Sequence, residues 1–165
     1  MLHVFSKMDL VAEPDGFRSG ILQVMSQSLI ASSLGDYFSA RRPPGVVSAY
    51  LFGSHARGTA HAESDVDVAL LFDYGQLRSR AARARAGDAM SADLIAVTHV
   101  NAVDVVVLND APPELAGAVV RDGQRLYQAD PEADHAFIRQ TFLREADLRP
   151  FLLRTRRLKL EAIVR

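Results

Sequence analysis

Two apolar runs separated by a short polar segment constrain the fold of this chain more than any other sequence feature. The first run, residues 46–52, leads directly into Gly53-Ser54. Ten residues then separate Ser54 from Asp65, near the start of the second run, residues 64–72. Each run has the length of a strand, and both are too uniformly apolar for a sheet with one solvated face. We therefore predict two central, covered strands, with a glycine turn and acidic residues at neighbouring strand ends.

The acidic pair Asp65 and Asp67 is separated by a single residue. Successive side chains of a strand point to opposite faces, so the two carboxylates are expected to share one face, with Val66 on the other. At the usual strand rise their Cα atoms lie about 6.6–7 Å apart, a spacing from which carboxylates can bind one Mg²⁺ ion or bridge two. A solvated acidic face on an edge strand is the alternative, and the apolar residues after Asp67 argue against it.

A third acidic residue, Asp104, interrupts another apolar run, residues 102–108, which we predict to be a third buried strand. An ionised aspartate inside such a strand is rarely buried without a partner. If this strand lies beside the strand of Asp65, Asp104 faces the same site. The alternative places Asp104 at the exposed start of its strand, and the sequence leaves both arrangements open.

The Gly53-Ser54 turn is a candidate anion-binding loop. Glycine permits close backbone approach and unusual dihedral angles. A helical turn after it would direct backbone N–H groups at a phosphate, and the Ser54 hydroxyl adds a further donor. Arg57 lies three residues on and is a candidate for the same anion. His55 and His61 are interpreted as polar loop side chains, with contact to a nucleotide as the alternative. A plain turn is the alternative, and the fixed distance to the aspartate pair favours the phosphate loop.

Helical periodicity and the positions of proline and glycine predict the remaining elements. Helices are expected at about residues 19–40, 76–97, 113–122 and from 131 onward, and a short strand at 124–127. Ser19 is the candidate cap of the first helix, and Pro150 is expected to kink or restart the last. We predict one α/β (α+β) domain with a small mixed sheet flanked by helices. It comprises an N-terminal arm (1–18), a core (19–130) and a C-terminal helical appendage (131–165).

The composition excludes several classes of chemistry. The chain has no cysteine, which excludes disulfides, thiol catalysis and cysteine-ligated zinc. The first residues lack the layout of a signal peptide, and no apolar run approaches the length of a membrane span, so a cytoplasmic protein without a membrane partner is expected. The net charge of −1 gives no general attraction to nucleic acid, so we expect no direct nucleic-acid partner.

Basic residues nevertheless concentrate in two places. Residues 139–165 contain eight basic and three acidic side chains, and four arginines occur between residues 78 and 85. Such clusters are usually the solvated face of a helix. The alternative is a surface that docks an acidic partner.

Taken together, these residues resemble a known family. Gly53-Ser54, the aspartate pair ten residues later and Asp104 on a later strand resemble the DNA polymerase β-type nucleotidyltransferase superfamily. The Ala-Arg-Gly at residues 56–58 and the Ser-Asp-Val-Asp at 64–67 are similar to its smallest branch, the minimal nucleotidyltransferases. Residues 103–115 and 122–127 also look like the MntA-type antitoxins of HEPN/MNT toxin–antitoxin systems.

The resemblance implies a nucleotidyltransferase-type sheet and a role for each site residue. Asp65 and Asp67 would bind two Mg²⁺ ions, and Asp104 would complete the site of the ion that activates the attacking hydroxyl. Gly53 and Ser54 would hold the β- and γ-phosphates of ATP. The chain departs from the family's pattern at none of these positions. Positioning and neutralisation of charge would supply the catalysis, without a covalent intermediate.

The resemblance also implies a partner and a product. In the antitoxin branch, AMP passes from ATP to a tyrosine hydroxyl of a HEPN-type ribonuclease toxin, which is a separate chain. Two alternatives remain open at this point. One is a nucleotidyltransferase that acts on a small molecule such as an aminoglycoside, although the short basic C-terminal region argues against it. The other is a non-enzymatic module that masks a toxin, which three intact aspartates argue against as the sole role.

Overall fold

The computed structural model describes residues 15–61, 64–100 and 102–163, with side chains at 28–61, 64–100, 102–151 and 153–155. The elements follow in the order α1 (Asp15–Arg41), β1 (Val46–Phe52), α2 (Gly53–Ala56), β2 (Val66–Phe72), α3 (Arg80–Thr98), β3 (Val103–Val107), a 3₁₀ turn (Leu108–Asp110), α4 (Pro113–Asp122), β4 (Gln124–Gln128) and α5 (Pro131–Ile163). Most of the predicted N-terminal arm lies outside the described residues. Within the described part of the chain, no helix is long and apolar enough to cross a membrane.

The four strands form one mixed sheet in the order β3-β2-β1-β4. Strand β1 pairs antiparallel with both β2 and β4, whereas β2 pairs parallel with β3. This confirms the predicted fold class and the central position of the two apolar runs. It also places the start of β2 and the start of β3 side by side at the end of the sheet where β1 finishes.

Helices cover both faces of the sheet. Leu34 and Phe38 of α1 and Leu94 of α3 pack on the face formed by the even-numbered residues of β2, among them Val68. The opposite face carries Ala69 and packs against α4 and α5. Fully burying a valine, leucine or phenylalanine side chain contributes about 1.5–3 kcal/mol, which explains why uniformly apolar strands occupy the centre.

Helix α5 is tied to the sheet by one buried carboxylate. Asp134, fully buried in the first turns of α5, accepts hydrogen bonds from Ser48 Oγ at 2.6 Å and from Tyr50 Oη at 2.7 Å. It also accepts from Gln128 Nε2 at 2.8 Å and Arg125 Nη1 at 3.1 Å. Burial raises the pKa of Tyr50 to about 12, and the hydrogen bond to Asp134 adds to the rise. A buried carboxylate with four donors fixes the angle at which α5 leaves β4.

Helix boundaries differ from the sequence predictions in three places. Helix α1 already begins at Asp15, so Ser19 lies inside the helix and its predicted role as cap is wrong. Helix α3 begins at Arg80 rather than near residue 76, because the Ser79 hydroxyl caps it by accepting the Ala82 N–H at 3.1 Å. Helix α5 continues through Pro150 without restarting.

The glycine that weakened the prediction of α3 has a packing role. Gly87 is buried, and a Cβ at this position would lie 3.3 Å from Val107 and 3.5 Å from Val105. The absent side chain therefore lets α3 approach β3 closely, which offsets the helix propensity that glycine costs.

Candidate active site

Strand β1 runs directly into the predicted turn. Phe52 is extended, and Gly53 then adopts a φ of +70° and begins the four-residue helix α2. The Arg57 N–H donates to the carbonyl oxygen of Gly53 at 3.3 Å, and the Thr59 N–H donates to that of Ser54 at 3.0 Å. The segment after β1 is therefore a compact helical turn, the conformation in which backbone N–H groups could face an anion.

Gly53 packs directly against the carboxylate of Asp67. In the pairing of β1 with β2, Asp67 lies opposite Phe52, the residue before this glycine. A Cβ built on Gly53 would overlap the Asp67 side chain. Glycine is required here for two independent reasons, since φ lies in the left-handed region and no side chain fits beside the carboxylate. The candidate phosphate loop is therefore in contact with one of the candidate metal-binding carboxylates.

Asp104 lies beside Asp67 on the neighbouring strand. The two residues are register partners in the parallel pairing of β2 with β3. Register partners share a face of the sheet, and neighbouring strands are about 4.8 Å apart. Asp104 is nevertheless exposed, because β3 is the edge strand of the sheet. The prediction that this strand is buried was therefore wrong. Of the two arrangements that the sequence left open, features of both are present, because Asp104 lies at the exposed start of its strand and also beside the strand of the acidic pair.

Asp65 is exposed and precedes Val66, the first residue of β2. The strand rule that placed Asp65 on the same face as Asp67 therefore does not fix the direction of its side chain. Its charge still acts on Asp67. Partial burial raises the pKa of Asp67, and the charge of Asp104 adds the next-largest upward contribution, followed by Asp65. Proximity to His55 and Arg57 acts in the opposite direction. The three aspartates therefore form one electrostatically coupled acidic site.

The structure distinguishes His55, for which the sequence favoured a polar loop role, from His61. It is 8% exposed, and its Nε2 lies 3.2 Å from the carbonyl oxygen of Ser64, the residue before Asp65. Its Nδ1 is buried and has no hydrogen-bond partner among the described residues. The interpretation as a polar loop side chain holds for the exposed His61 but not for His55. A single sequence carries no signal for this difference, because both histidines lie in the same polar segment.

Most of the chain, including this site, matches a known protein family. The family described as "Polymerase beta, Nucleotidyltransferase" matches residues 35–132, which is more than half of the chain. The chain belongs to this nucleotidyltransferase family. The matched region contains the glycine turn, all three aspartates and the whole sheet.

Solved structures resemble this nucleotidyltransferase over most of its length. A chain from a crystal structure of a toxin–antitoxin with AMP-PNP is 25% identical with a TM-score of 0.56, covering 80% of this chain and 98% of that one. A chain from a mutant of the toxin–antitoxin MntA-HpeT is 25% identical with a TM-score of 0.54, covering 79% and 96%. A Shewanella oneidensis structure, 20% identical with a TM-score of 0.51 and covering 82% and 98%, supports the fold alone. No curated protein matches the chain.

The three aspartates of this nucleotidyltransferase offer the type of ligand atom that Mg²⁺ binds. Carboxylate oxygens are the hard ligands that Mg²⁺ prefers. Burial and then repulsion from the neighbouring aspartates raise the pKa of Asp67, and a bound cation would relieve that repulsion. Within the described residues, no three histidine, aspartate or glutamate side chains are arranged to hold a metal ion by themselves. Mg²⁺ usually takes one or two carboxylates together with substrate phosphates rather than an all-protein cage.

Proposed function

We propose that this nucleotidyltransferase transfers AMP from ATP to a tyrosine hydroxyl of a HEPN-family toxin and thereby neutralises the toxin. The contact between Gly53 and Asp67 carries the proposal, because it joins a candidate phosphate loop to a pair of carboxylates on adjacent strands. Membership of the polymerase beta nucleotidyltransferase family supports the reaction type. The likeness to a toxin–antitoxin structure with AMP-PNP supports both the nucleotide and the partner.

Each site residue has a role in this proposal. The backbone of Gly53 and the hydroxyl of Ser54 bind the β- and γ-phosphates, and the exposed Arg57 adds positive charge at the same loop. Asp65, Asp67 and Asp104 would hold two Mg²⁺ ions. When bound, these ions neutralise charge on the phosphates and orient the reacting oxygens. The exposed side of Asp104 leaves room for the acceptor to approach from the edge of the sheet.

The reaction is a displacement at the α-phosphorus of ATP. The tyrosine oxygen forms a bond to that phosphorus, and the bond to the oxygen that bridges the α- and β-phosphates breaks. Pyrophosphate leaves, and the phenolic proton is released to solvent. The chain contributes position: the loop holds the leaving phosphates, and the sheet holds the carboxylates at a fixed distance from them. The toxin gains a phosphodiester with a negative charge, which opposes RNA binding.

The test uses labelled ATP, Mg²⁺ and the protein encoded by the gene next to the one for this chain. We expect AMP on a tyrosine of that neighbour, located by mass spectrometry, and its ribonuclease activity should fall in step. Asp67→Asn should abolish the transfer. The matched control is Asp88→Asn, which removes an exposed carboxylate on α3 and should leave the transfer intact.

Two outcomes would replace the proposal with an alternative. Label found only on an added aminoglycoside would identify a nucleotidyltransferase that acts on small molecules. Full inhibition of the neighbour by Asp67→Asn, with no label on the neighbour, would identify a module that masks the toxin by binding alone.

A further inference from the structure

Helix α5 packs antiparallel along α4 and extends beyond it. The guanidinium carbon of Arg121 lies 5.5 Å from the ring centroid of Phe142, and Arg121 pairs with Glu145 at 2.8 Å. One helix turn further along α5, Arg149 lines the same cleft as Glu114 in the first turn of α4. Between Phe142 and Arg149, α5 therefore lines one cleft with the part of α4 between Glu114 and Arg121.

The helix continues well beyond that point. Residues 151–163 belong to α5, and at 1.5 Å per residue they extend it by about 20 Å. Phe151 is 65% exposed and Leu153 is 60% exposed. Large apolar side chains this open are unusual on one short stretch of helix, so the extension is a candidate contact surface.

Some of the exposed residues share helix faces with residues that contact the rest of the fold. Thr141 of α5 is buried, whereas Leu148, seven residues later on the same face, is exposed. Phe142 faces Arg121 of α4, and Leu153 lies three turns later on that face. Residues seven or eleven apart share a helix face. The face that is buried at Thr141 is therefore exposed at Leu148, and the face of Phe142, which is 38% exposed, is 60% exposed at Leu153.

Apolar residues also occupy other sides of this part of α5. Leu143 is 68% exposed, and Phe151 projects about 80° around the helix from it. A helix with apolar residues on several sides suits enclosure between other helices rather than contact with a flat surface. A groove between two helices of a partner provides that geometry.

The charge of this region points to an acidic partner. Residues 139–165 carry eight basic and three acidic side chains. One of the three acids, Glu145, is already paired with Arg121. Among the basic residues, Arg144, Arg149 and Arg154 are exposed. Two copies of this chain would bring two basic surfaces together, which disfavours pairing between copies. A partner with an acidic rim is favoured instead.

We propose that residues 142–155 of α5 dock the toxin chain, with Phe151 and Leu153 entering an apolar groove that has an acidic rim. This inference rests on the proposed function for the identity of the partner. It adds a surface that holds the partner chain, and it is independent of the chemistry assigned to the aspartates.

The test compares two pairs of substitutions in the full chain. Phe151→Ser with Leu153→Ser should weaken binding to the neighbouring protein at least tenfold by titration calorimetry and lower AMP transfer at sub-saturating partner to the same extent. Binding of ATP with Mg²⁺ should be unchanged. Leu29→Ser is the matched control, since Leu29 is 66% exposed on α1, and it should leave binding intact. Arg144→Glu with Arg154→Glu should weaken binding and reduce its salt dependence.

Three outcomes separate this inference from the proposed function. Wild-type affinity in both the apolar and the charge-reversed variants, with transfer still lost in Asp67→Asn, would overturn the docking surface and leave the function standing. A wild-type chain that self-associates through Phe151 and Leu153 would make a second copy the occupant and overturn the inference. A neighbour that wild-type protein neither binds nor modifies would overturn both.

Discussion

The Nε2 of His55 lies 3.2 Å from the backbone carbonyl oxygen of Ser64. Since a carbonyl only accepts, Nε2 carries the proton and donates it. Ser64 is also fixed from its other side, because the His61 N–H donates to Ser64 Oγ at 2.8 Å and the Ser64 N–H donates to the carbonyl oxygen of His61 at 3.0 Å. One buried imidazole therefore joins the phosphate-loop candidate to the residue that precedes Asp65.

The first prediction separates the hydrogen bond of His55 from its bulk. His55→Leu should lower the rate of nucleotidyl transfer about 10–100-fold, which is an increase of about 1.4–2.8 kcal/mol in the activation barrier. It should also raise the Mg²⁺ concentration for half-maximal binding. His55→Gln should keep most of the activity, because its amide nitrogen can donate from nearly the place of Nε2. Steady-state kinetics and a Mg²⁺ titration of thermal unfolding measure the two effects. Equal losses in both variants would show that the hydrogen bond has no positioning role.

The second prediction concerns the charge on Asp67. The raised pKa means that the folded protein holds this proton more tightly than the unfolded chain does. The folded state is therefore penalised as the pH rises through that pKa, and the penalty is complete once Asp67 is ionised. In EDTA, Asp67→Asn should unfold at a higher temperature than wild type at neutral pH, and the difference should shrink toward pH 4.

When ligand is present, Asp67→Asn should be unfavourable instead of stabilising. Transfer should fall about 10³-fold, the scale expected when electrostatic stabilisation of a transition state is removed. ATP with Mg²⁺ should stabilise wild type more than Asp67→Asn. Thermal unfolding with and without nucleotide checks this, and Asp88→Asn should follow wild type throughout. A variant less stable than wild type in EDTA at neutral pH would contradict the coupled acidic site.

The third prediction uses two glycines with similar backbone angles. Gly53 has φ of +70° and Gly58 has φ of +74°, so alanine at either position costs about 1–2 kcal/mol in backbone strain. Only at Gly53 does the added Cβ also displace the Asp67 carboxylate. Gly58→Ala should therefore lower stability while keeping most of the activity, whereas Gly53→Ala should lower stability further and abolish transfer. Chemical denaturation and transfer assays on both variants test this, and equal activities would contradict it.

The fourth prediction concerns the buried carboxylate that anchors α5. Asp134→Ala should lower the free energy of unfolding by about 3 kcal/mol, because it leaves several buried donors without an acceptor. Tyr50→Phe removes a single hydrogen bond and should cost about 1 kcal/mol. Urea denaturation measures both. If the two variants lose the same stability, Asp134 is not the hub of the network.

Much of the fold follows from local chemistry that the sequence displays. The uniformly apolar runs specify β1 and β2 as central strands, because only a covered sheet accepts them. Pro113 and Gly123 mark the beginning and the end of α4, since proline suits the first helical turn and glycine ends it. The spacing from Ser54 to Asp65 indicated that a loop and carboxylates meet, and the structure brings Gly53 and Asp67 into contact.

Other features depend on which elements become neighbours, and only the tertiary structure decides that. The exposure of Asp104 follows from the edge position of β3, which strand order sets and the apolar run does not. His55 is buried because the chain folds back at Ser64, whereas His61 in the same segment remains exposed. Aspartate is usually exposed to solvent. Asp134 anchors α5 only because four hydrogen-bond donors from β1 and β4 surround it. Periodicity reports which face of an element is apolar, but burial and pairing depend on contacts between residues far apart in the chain.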